Sequence, residues 1–224
     1  MSVRKVALLA VGSFNPPTIA HLRMLEVAKS HLESENVTVL EGIMSPVADS
    51  YSKKSTVVSA EHRYKMVVEA TKSSKWIHGD NWECTRTTWT RTLAVLAHHL
   101  ENIKQKHGVE TGLMLVVGGD VVDSFSRILP DGSNLWNPSD ILSIINDFGL
   151  IVMPRDGAKP RETLESMPAI KNVADKIAIV EDQVLPNLIS STRLRSAIST
   201  GKSIKYATPD EVINYIQDNN LYKA

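Results

Sequence analysis

Apolar positions follow two patterns along the chain, short continuous runs and a spacing of three to four residues. Residues 6–11 (VALLAV) form a continuous run, which is typical of a strand buried on both faces of a parallel sheet. From Ile19 to Leu32 the apolar residues fall on one face of a helix, with charged residues opposite. A loop from Gly12 to Thr18 joins the two. This order predicts the opening of a nucleotide-binding βαβ unit.

The same alternation continues to the end of the chain. Further apolar runs predict strands over residues 37–43, 76–78, 113–117, 150–153 and 177–180. Helices are predicted over residues 60–71, around 93–103, from Pro138 to 148, from Thr192 to Gly201, and after Thr208, whose capping box closes with Glu211. The predicted fold is α/β, with a single doubly wound, Rossmann-like parallel sheet. Residues 1–224 are expected to form one domain, in which the C-terminal helices (about 192–224) complete the ligand site.

Composition and charge narrow the class of ligand. Lysine plus arginine and aspartate plus glutamate both number 25, so no positive field is available for nucleic acid, and none is expected as a partner. No apolar run reaches the roughly 20 residues that cross a bilayer, so no membrane partner is expected. The single cysteine, Cys84, excludes an intrachain disulfide, and no Cys/His cluster has zinc-site spacing. Small, locally bound phosphates remain the expected ligands.

Two stretches carry the features of phosphate sites. The first is GSFNPPTIAH, residues 12–21, where a loop leads from a strand into a helix whose first turn carries His21. Backbone N–H groups and the helix dipole favour an anion there. The second is ISSTRLR, residues 189–195, with Ser190 and Thr192 at a helix start and Arg195 one turn later. No Walker lysine is present, so neither stretch is a P-loop.

These stretches resemble the GxFxPxTxxH and SxTxxR signatures of the nucleotidyltransferase superfamily, and of its eukaryotic nicotinamide mononucleotide adenylyltransferases in particular. Shorter matches extend the resemblance over nearly the whole chain, at residues 45–47, 82–83, 118–120 and 135–136. The chain departs from the pattern at Thr18, where superfamily members often have a second histidine. It also lacks the long basic insertion that some nuclear members carry.

The resemblance implies transfer of AMP from ATP to nicotinamide mononucleotide, and to nicotinic acid mononucleotide, with release of pyrophosphate in NAD biosynthesis. His21 and Arg195 would be catalytic and would neutralise charge on the leaving pyrophosphate. ATP and its phosphates would be bound by Gly12, Ser13, Phe14, Asn15, Gly118, Asp120, Asn187, Ser190 and Thr192. The mononucleotide would be bound by Lys53, Trp82, Leu135 and Trp136, with the two indoles flanking the pyridine ring.

Mg²⁺, or another divalent cation, is implied as well, held mainly by the substrate phosphates rather than by protein ligands. The family further implies a homo-oligomer. Cytoplasm is the expected location because no targeting or lipid motif is found, with nucleus and mitochondrion left open. Two alternatives stay open: another superfamily transferase, which gives the indoles no role, and a non-catalytic dinucleotide-binding or chaperone protein.

Several other conspicuous side chains are interpreted as packing or surface residues. Isolated histidines usually have no chemical role, and no partner that would activate Cys84 is evident. This interpretation covers Cys84, Trp76, Trp89, His31, His62, His78, His98, His99 and His107.

Overall fold

The computed structural model describes residues 4–51, 56–155, 157–185 and 189–223. Six strands within these ranges form one sheet: β1 (Arg4–Gly12), β2 (Val37–Pro46), β3 (Ile77–Gly79), β4 (Gly112–Gly118), β5 (Leu150–Met153) and β6 (Ala178–Ile179). Every neighbouring pair is parallel, in the order β3-β2-β1-β4-β5-β6. The order reverses between β1 and β4, where doubly wound sheets bind their ligands. The predicted fold is confirmed.

Helices connect the strands and close the chain. They are α1 (Ile19–Ser34), α2 (Ala60–Thr71), α3 (Thr92–His107), α4 (Gly119–Asp123), α5 (Pro138–Ser143), α6 (Pro160–Ser166), α7 (Ser191–Ser199) and α8 (Asp210–Asp218). A π-helical segment, Ile144–Phe148, continues α5, and 3-10 turns lie at Asp49–Tyr51 and Lys171–Lys176. Within the described ranges no helix has the length and apolarity to span a membrane.

Side chains on the two faces of the sheet enter separate apolar clusters, as alternation along a strand requires. Val6, Leu8 and Ala10 pack with α1, whereas Ala7 and Leu9 pack with α3. A third cluster joins α2 to the C-terminal helices through Met66, Leu194, Val212 and Ile216. This third cluster holds α7 and α8 beside the loops that follow β1 and β2.

The start of α8 differs from its prediction. The helix begins at Asp210 after Pro209, and no side chain caps its first turn. The Thr208 hydroxyl instead donates to the carbonyl oxygen of Pro17 at 2.8 Å. The predicted capping box at Thr208 is therefore wrong, because a buried carbonyl of the loop after β1 takes the hydroxyl. Thr208 ties the C-terminal part of the chain to that loop.

Helices α4 and α6 were not predicted. They contain five and seven residues, too few for a helical spacing to repeat. The α4 helix starts at the carboxyl end of β4. Its first residues therefore lie at the switch point of the sheet, the position between β1 and β4 where the strand order reverses.

Candidate active site

A cavity of about 540 Å³ lies at the carboxyl ends of β1 and β4. Both sequence stretches contribute to its wall, although some 170 residues separate them. The predicted site residues that line it are Gly12, Ser13, Phe14, Asn15, His21, Gly118, Asp120, Leu135, Trp136, Ser190, Thr192 and Arg195. Lys53 and Asn187 lie outside the described residues. The sheet topology thus brings the two predicted phosphate sites together in one cavity. Residues 12–21 are called the first cradle and residues 189–195 the second cradle.

His21 lies on the first turn of α1, and its ring orientation is fixed by the residue that precedes the helix. The backbone N–H of Thr18 donates to His21 Nδ1 at 3.0 Å, and the Thr18 hydroxyl lies 2.9 Å from the same nitrogen. Phe14 packs edge-on against the imidazole, with 5.2 Å between ring centroids. Because Nδ1 accepts the backbone proton, the neutral ring carries its own proton on Nε2.

Burial, and then the positive charge of Arg155, lower the pKa of His21 to about 4. The free protein therefore holds a neutral imidazole at neutral pH. Sequence reasoning gave His21 a charge-neutralising role, whereas the structure makes it a hydrogen-bond donor through Nε2–H before any ligand arrives. A polyphosphate next to the ring would favour the protonated form and raise this pKa.

The second cradle is built on the N-terminus of α7. The Ser190 hydroxyl caps this helix by accepting from the N–H of Arg193 at 3.3 Å. Ser191 donates its hydroxyl to the carbonyl oxygen of Pro16 at 2.7 Å, and Arg195 donates Nη1–H to that of Asn15 at 2.8 Å. Arg195 also donates from Nη2 to the Thr192 hydroxyl at 3.2 Å. These bonds join the helix start directly to the loop after β1.

Asp120 lies where β4 passes into α4, and its carboxylate is 61% exposed. Arg155, two residues beyond β5, approaches it at 3.5 Å and donates to the carbonyl oxygen of Ile189 at 2.8 Å. A Cβ at Gly118 would meet Asp120 Oδ1 at 2.5 Å, so the strand end must be glycine for this carboxylate to sit there. Arg155 links the ends of β4 and β5 to the segment before α7.

The aromatic part of the wall differs from what was predicted. Trp136 lines the cavity, donates its indole N–H to the Ser124 hydroxyl at 2.9 Å, and packs edge-on against Phe125. The second indole in the lining is Trp89, which is 44% exposed. Trp82 is not in the lining that the described residues form; it stacks on His98 at 3.9 Å, with the Arg86 guanidinium 4.3 Å from its ring. Ring stacking by Trp82 stays a prediction, and Trp89 becomes a second candidate for it.

Glu83 also lines the cavity, and it is only 2% exposed. The Ser45 hydroxyl donates to Glu83 Oε2 at 3.1 Å. Burial raises the pKa of this carboxyl to about 7, although the Ser45 hydrogen bond and the nearby Arg63 charge favour ionisation. Folding therefore stabilises the protonated form of Glu83.

We expect Glu83→Gln to remove a pH dependence of stability. Because the folded-state pKa is raised, Glu83 contributes most to the free energy of unfolding below its ordinary pKa of 4.5. This contribution is lost as pH rises through 7. The loss amounts to roughly 3 kcal/mol. The free energy of unfolding is measured with urea at about pH 5 and about pH 8. From the lower to the higher pH, the wild type should lose stability relative to the variant by this order of magnitude. Glu165→Gln, on the exposed side of α6, is the matched control; equal pH dependence of the Glu83 variant and the wild type would contradict the assignment.

Sequence reasoning missed several residues of the wall, and Arg63 shows which signal was available. It lies on the apolar face of α2 and its side chain is fully buried. It donates to the carbonyl oxygens of Val58 and Ser13 at 3.0 and 3.1 Å, and it pairs with Asp49 at 3.0 Å. A charged residue at a buried helical position is the pattern that indicates such a role. Arg155 gave a weaker signal, as a basic residue just after a strand.

Comparisons with known proteins identify the family of the chain. Residues 9–197 match the family described as cytidylyltransferase-like. Nicotinamide/nicotinic acid mononucleotide adenylyltransferase 2 of Caenorhabditis elegans is 66% identical over 221 residues, 99% of each chain. The nicotinamide/nicotinic acid mononucleotide adenylyltransferase of Oryza sativa subsp. japonica is 40% identical over 96% of this chain and 85% of its own length. A structure of Plasmodium falciparum nicotinic acid mononucleotide adenylyltransferase complexed with NaAD aligns at 22% identity with a TM-score of 0.67, covering 98% of both chains, and shares the fold.

Proposed function

Because the chain belongs to the nicotinamide/nicotinic acid mononucleotide adenylyltransferases of the cytidylyltransferase-like family, we propose that its cavity transfers the AMP group of ATP to a pyridine mononucleotide. The products are NAD, or its deamido form, and pyrophosphate. The observation that carries this assignment is the meeting of the two phosphate cradles at the switch point, where Arg195 donates to the Asn15 carbonyl at 2.8 Å. The enzyme acts in NAD biosynthesis.

The reaction is an in-line displacement at the α-phosphorus of ATP. A phosphate oxygen of the mononucleotide forms the new P–O bond, and the bond to the pyrophosphate oxygen breaks, so no covalent enzyme intermediate is needed. His21 donates a hydrogen bond through Nε2–H to the phosphate that is leaving. Arg195 and the N–H groups at the start of α7 supply positive charge to the same group. Catalysis is positioning and electrostatic stabilisation.

A smaller cavity, of about 220 Å³, supports a place for the adenine. It shares Ala20, Met24 and Arg155 with the larger cavity. Apolar side chains form part of its remaining wall, including Val27 and Met153. A flat purine suits a slot whose wall combines apolar side chains with a few polar groups, with the triphosphate extending past Arg155 toward His21.

Magnesium would enter with ATP. We propose that the phosphate oxygens of ATP carry the cation, as Mg²⁺ prefers oxygen ligands; no group of three or more acidic, histidine or cysteine side chains suited to a metal occurs among the described residues. Asp120 is a carboxylate placed to meet the cation, because it lines the cavity at the end of β4 and is largely exposed. When bound, the cation would offset charge on the pyrophosphate.

The mononucleotide occupies the end of the large cavity near Trp136 and Leu135. An indole face attracts the cationic pyridinium ring. We expect Trp136→Ala to raise the KM for nicotinamide mononucleotide by about tenfold, with the KM for ATP changed less than about twofold. Steady-state kinetics of Trp89→Ala and Trp82→Ala, beside it, identify the second stacking residue. An unchanged KM for the mononucleotide in Trp136→Ala would contradict binding of the pyridine ring at this end of the cavity.

The test of the proposed function is direct. The purified chain is incubated with ATP, Mg²⁺ and either mononucleotide, and the dinucleotide is followed by a coupled dehydrogenase or by chromatography. We expect product with both acceptors, since they differ by one amide-to-carboxylate change. A folded protein that binds ATP but forms no dinucleotide would contradict the proposal. Self-association and a cytoplasmic location stay predictions.

A further inference from the structure

Asn15 is the point at which four segments of the chain meet. The residue is 1% exposed. Its side-chain amide donates to the carbonyl oxygen of Thr56 at 2.9 Å, and its Oδ1 accepts from the N–H of Val58 at 3.3 Å. Its backbone carbonyl accepts from Arg195, as described above. Any group that fixes this amide therefore also fixes the loop after β1 relative to Arg195.

The fourth contact comes from the far end of the chain. Tyr222 follows α8 by four residues and donates its hydroxyl to Asn15 Oδ1 at 2.7 Å. Its neighbour Leu221 is buried in the cluster that joins α2, α7 and α8, and the Tyr222 ring packs on the same cluster. The backbone at Tyr222 has φ of +61°, a conformation that residues other than glycine adopt rarely. Burial raises the pKa of Tyr222 far above its ordinary value, so the hydroxyl stays a donor.

We propose that Tyr222 is a positioning residue for nucleotide transfer: its hydroxyl holds the Asn15 amide, and thereby keeps the loop after β1 and Arg195 in the geometry that receives the ATP polyphosphate. The inference rests on the proposed function. Tyr222 is outside the cavity lining that the described residues form, so it acts through Asn15.

The physical reason lies in the pattern of bonds around Asn15. Without the tyrosine hydroxyl, Oδ1 keeps only the long 3.3 Å bond from Val58. The amide then keeps its bond to the Thr56 carbonyl but loses the shorter of the two bonds to Oδ1, so Asn15 can shift, and the backbone carbonyl that Arg195 uses shifts with it. Reacting groups that are misplaced by about one ångström cost large factors in rate. Among the described residues, Tyr222 contacts none of those at the mononucleotide end of the cavity. The affinity for the mononucleotide should therefore not change.

Tyr222→Phe removes only the hydroxyl and keeps the ring in its cluster. We expect kcat/KM for ATP to fall about tenfold, and the KM for the mononucleotide to stay within about twofold. The affinity for an α,β-methylene analogue of ATP, measured by calorimetry, should fall at least about threefold. Tyr206→Phe is the matched control, because the Tyr206 ring is 83% exposed. Equal kcat/KM for ATP in the wild type and Tyr222→Phe would overturn the proposal.

A double-mutant cycle separates positioning from a general effect on folding. If Tyr222 acts through Asn15, Tyr222→Phe should slow the Asn15→Ala protein no further. Full additivity of the two losses would overturn the proposal, as would a loss shared equally by both substrates. If the wild type forms no dinucleotide, the proposed function fails; equal affinities of wild type and Tyr222→Phe for the ATP analogue would then reject the positioning role separately.

Discussion

His21→Ala is expected to lower kcat by about a hundredfold or more, with a smaller change in the KM for ATP. The side chain is the donor at the first cradle, its Nδ1 is held by the Thr18 N–H, and Nε2–H is left for the ligand. A bond that strengthens as charge develops on the leaving pyrophosphate affects kcat more than binding. Rapid-quench measurement of dinucleotide formation separates the chemical step from product release.

His21→Gln is the informative companion. Glutamine keeps a neutral N–H donor at about the position of Nε2, so it should recover part of the rate if His21 works as a neutral donor. Because the pKa of His21 is lowered to about 4, its protonation should also leave no inflection near pH 6.5 in kcat/KM for ATP. A kcat for His21→Ala within about threefold of wild type would contradict the assigned role.

Arg195→Lys is expected to lower kcat/KM for ATP by about a hundredfold, although the charge is kept. The planar guanidinium donates in two directions at once, to the Asn15 carbonyl and to the Thr192 hydroxyl. A lysine ammonium cannot hold both while it faces a phosphate. The loss therefore tests whether the fork, rather than the charge, joins the two cradles.

The matched control is Arg161→Lys, at an exposed position of α6. Circular dichroism and the unfolding midpoint establish that both variants are folded. Retention of wild-type kcat/KM by Arg195→Lys would show that charge alone is sufficient, and the bond between the cradles would then have no catalytic role.

Strands buried in the centre of the sheet were the easiest elements to predict. Continuous apolar runs at β1, β4 and β5 have few other interpretations, and the motifs that follow them locate the cavity. The short helices α4 and α6 were missed because they are too short for a helical spacing to repeat. The Thr208 hydroxyl was assigned to a helix cap because the carbonyl of Pro17, its actual acceptor, is 191 positions away in sequence.

The aromatic wall shows a different limit of sequence reasoning. Trp82 and Trp89 are seven positions apart in a segment that is largely irregular, so no periodicity indicates which of them faces the ligand. In the structure, His98 of α3 takes a face of Trp82, and Trp89 borders the cavity. Likewise, the neutral state of His21 follows from burial and from Arg155, and neither is visible in the motif. The residue types of the site were predictable from the sequence. The protonation of His21 and the orientation of the tryptophans depend on tertiary contacts.

The transfer of AMP to the mononucleotide phosphate is tested most directly by isotope labelling. Nicotinamide mononucleotide with ¹⁸O at every terminal phosphate oxygen is converted with ATP and Mg²⁺, and both products are analysed by mass spectrometry. Attack by the mononucleotide on the α-phosphorus of ATP predicts that the dinucleotide retains all of the label and that pyrophosphate carries none. Loss of label from the dinucleotide, or no dinucleotide from the folded protein, would contradict adenylyl transfer in this cavity.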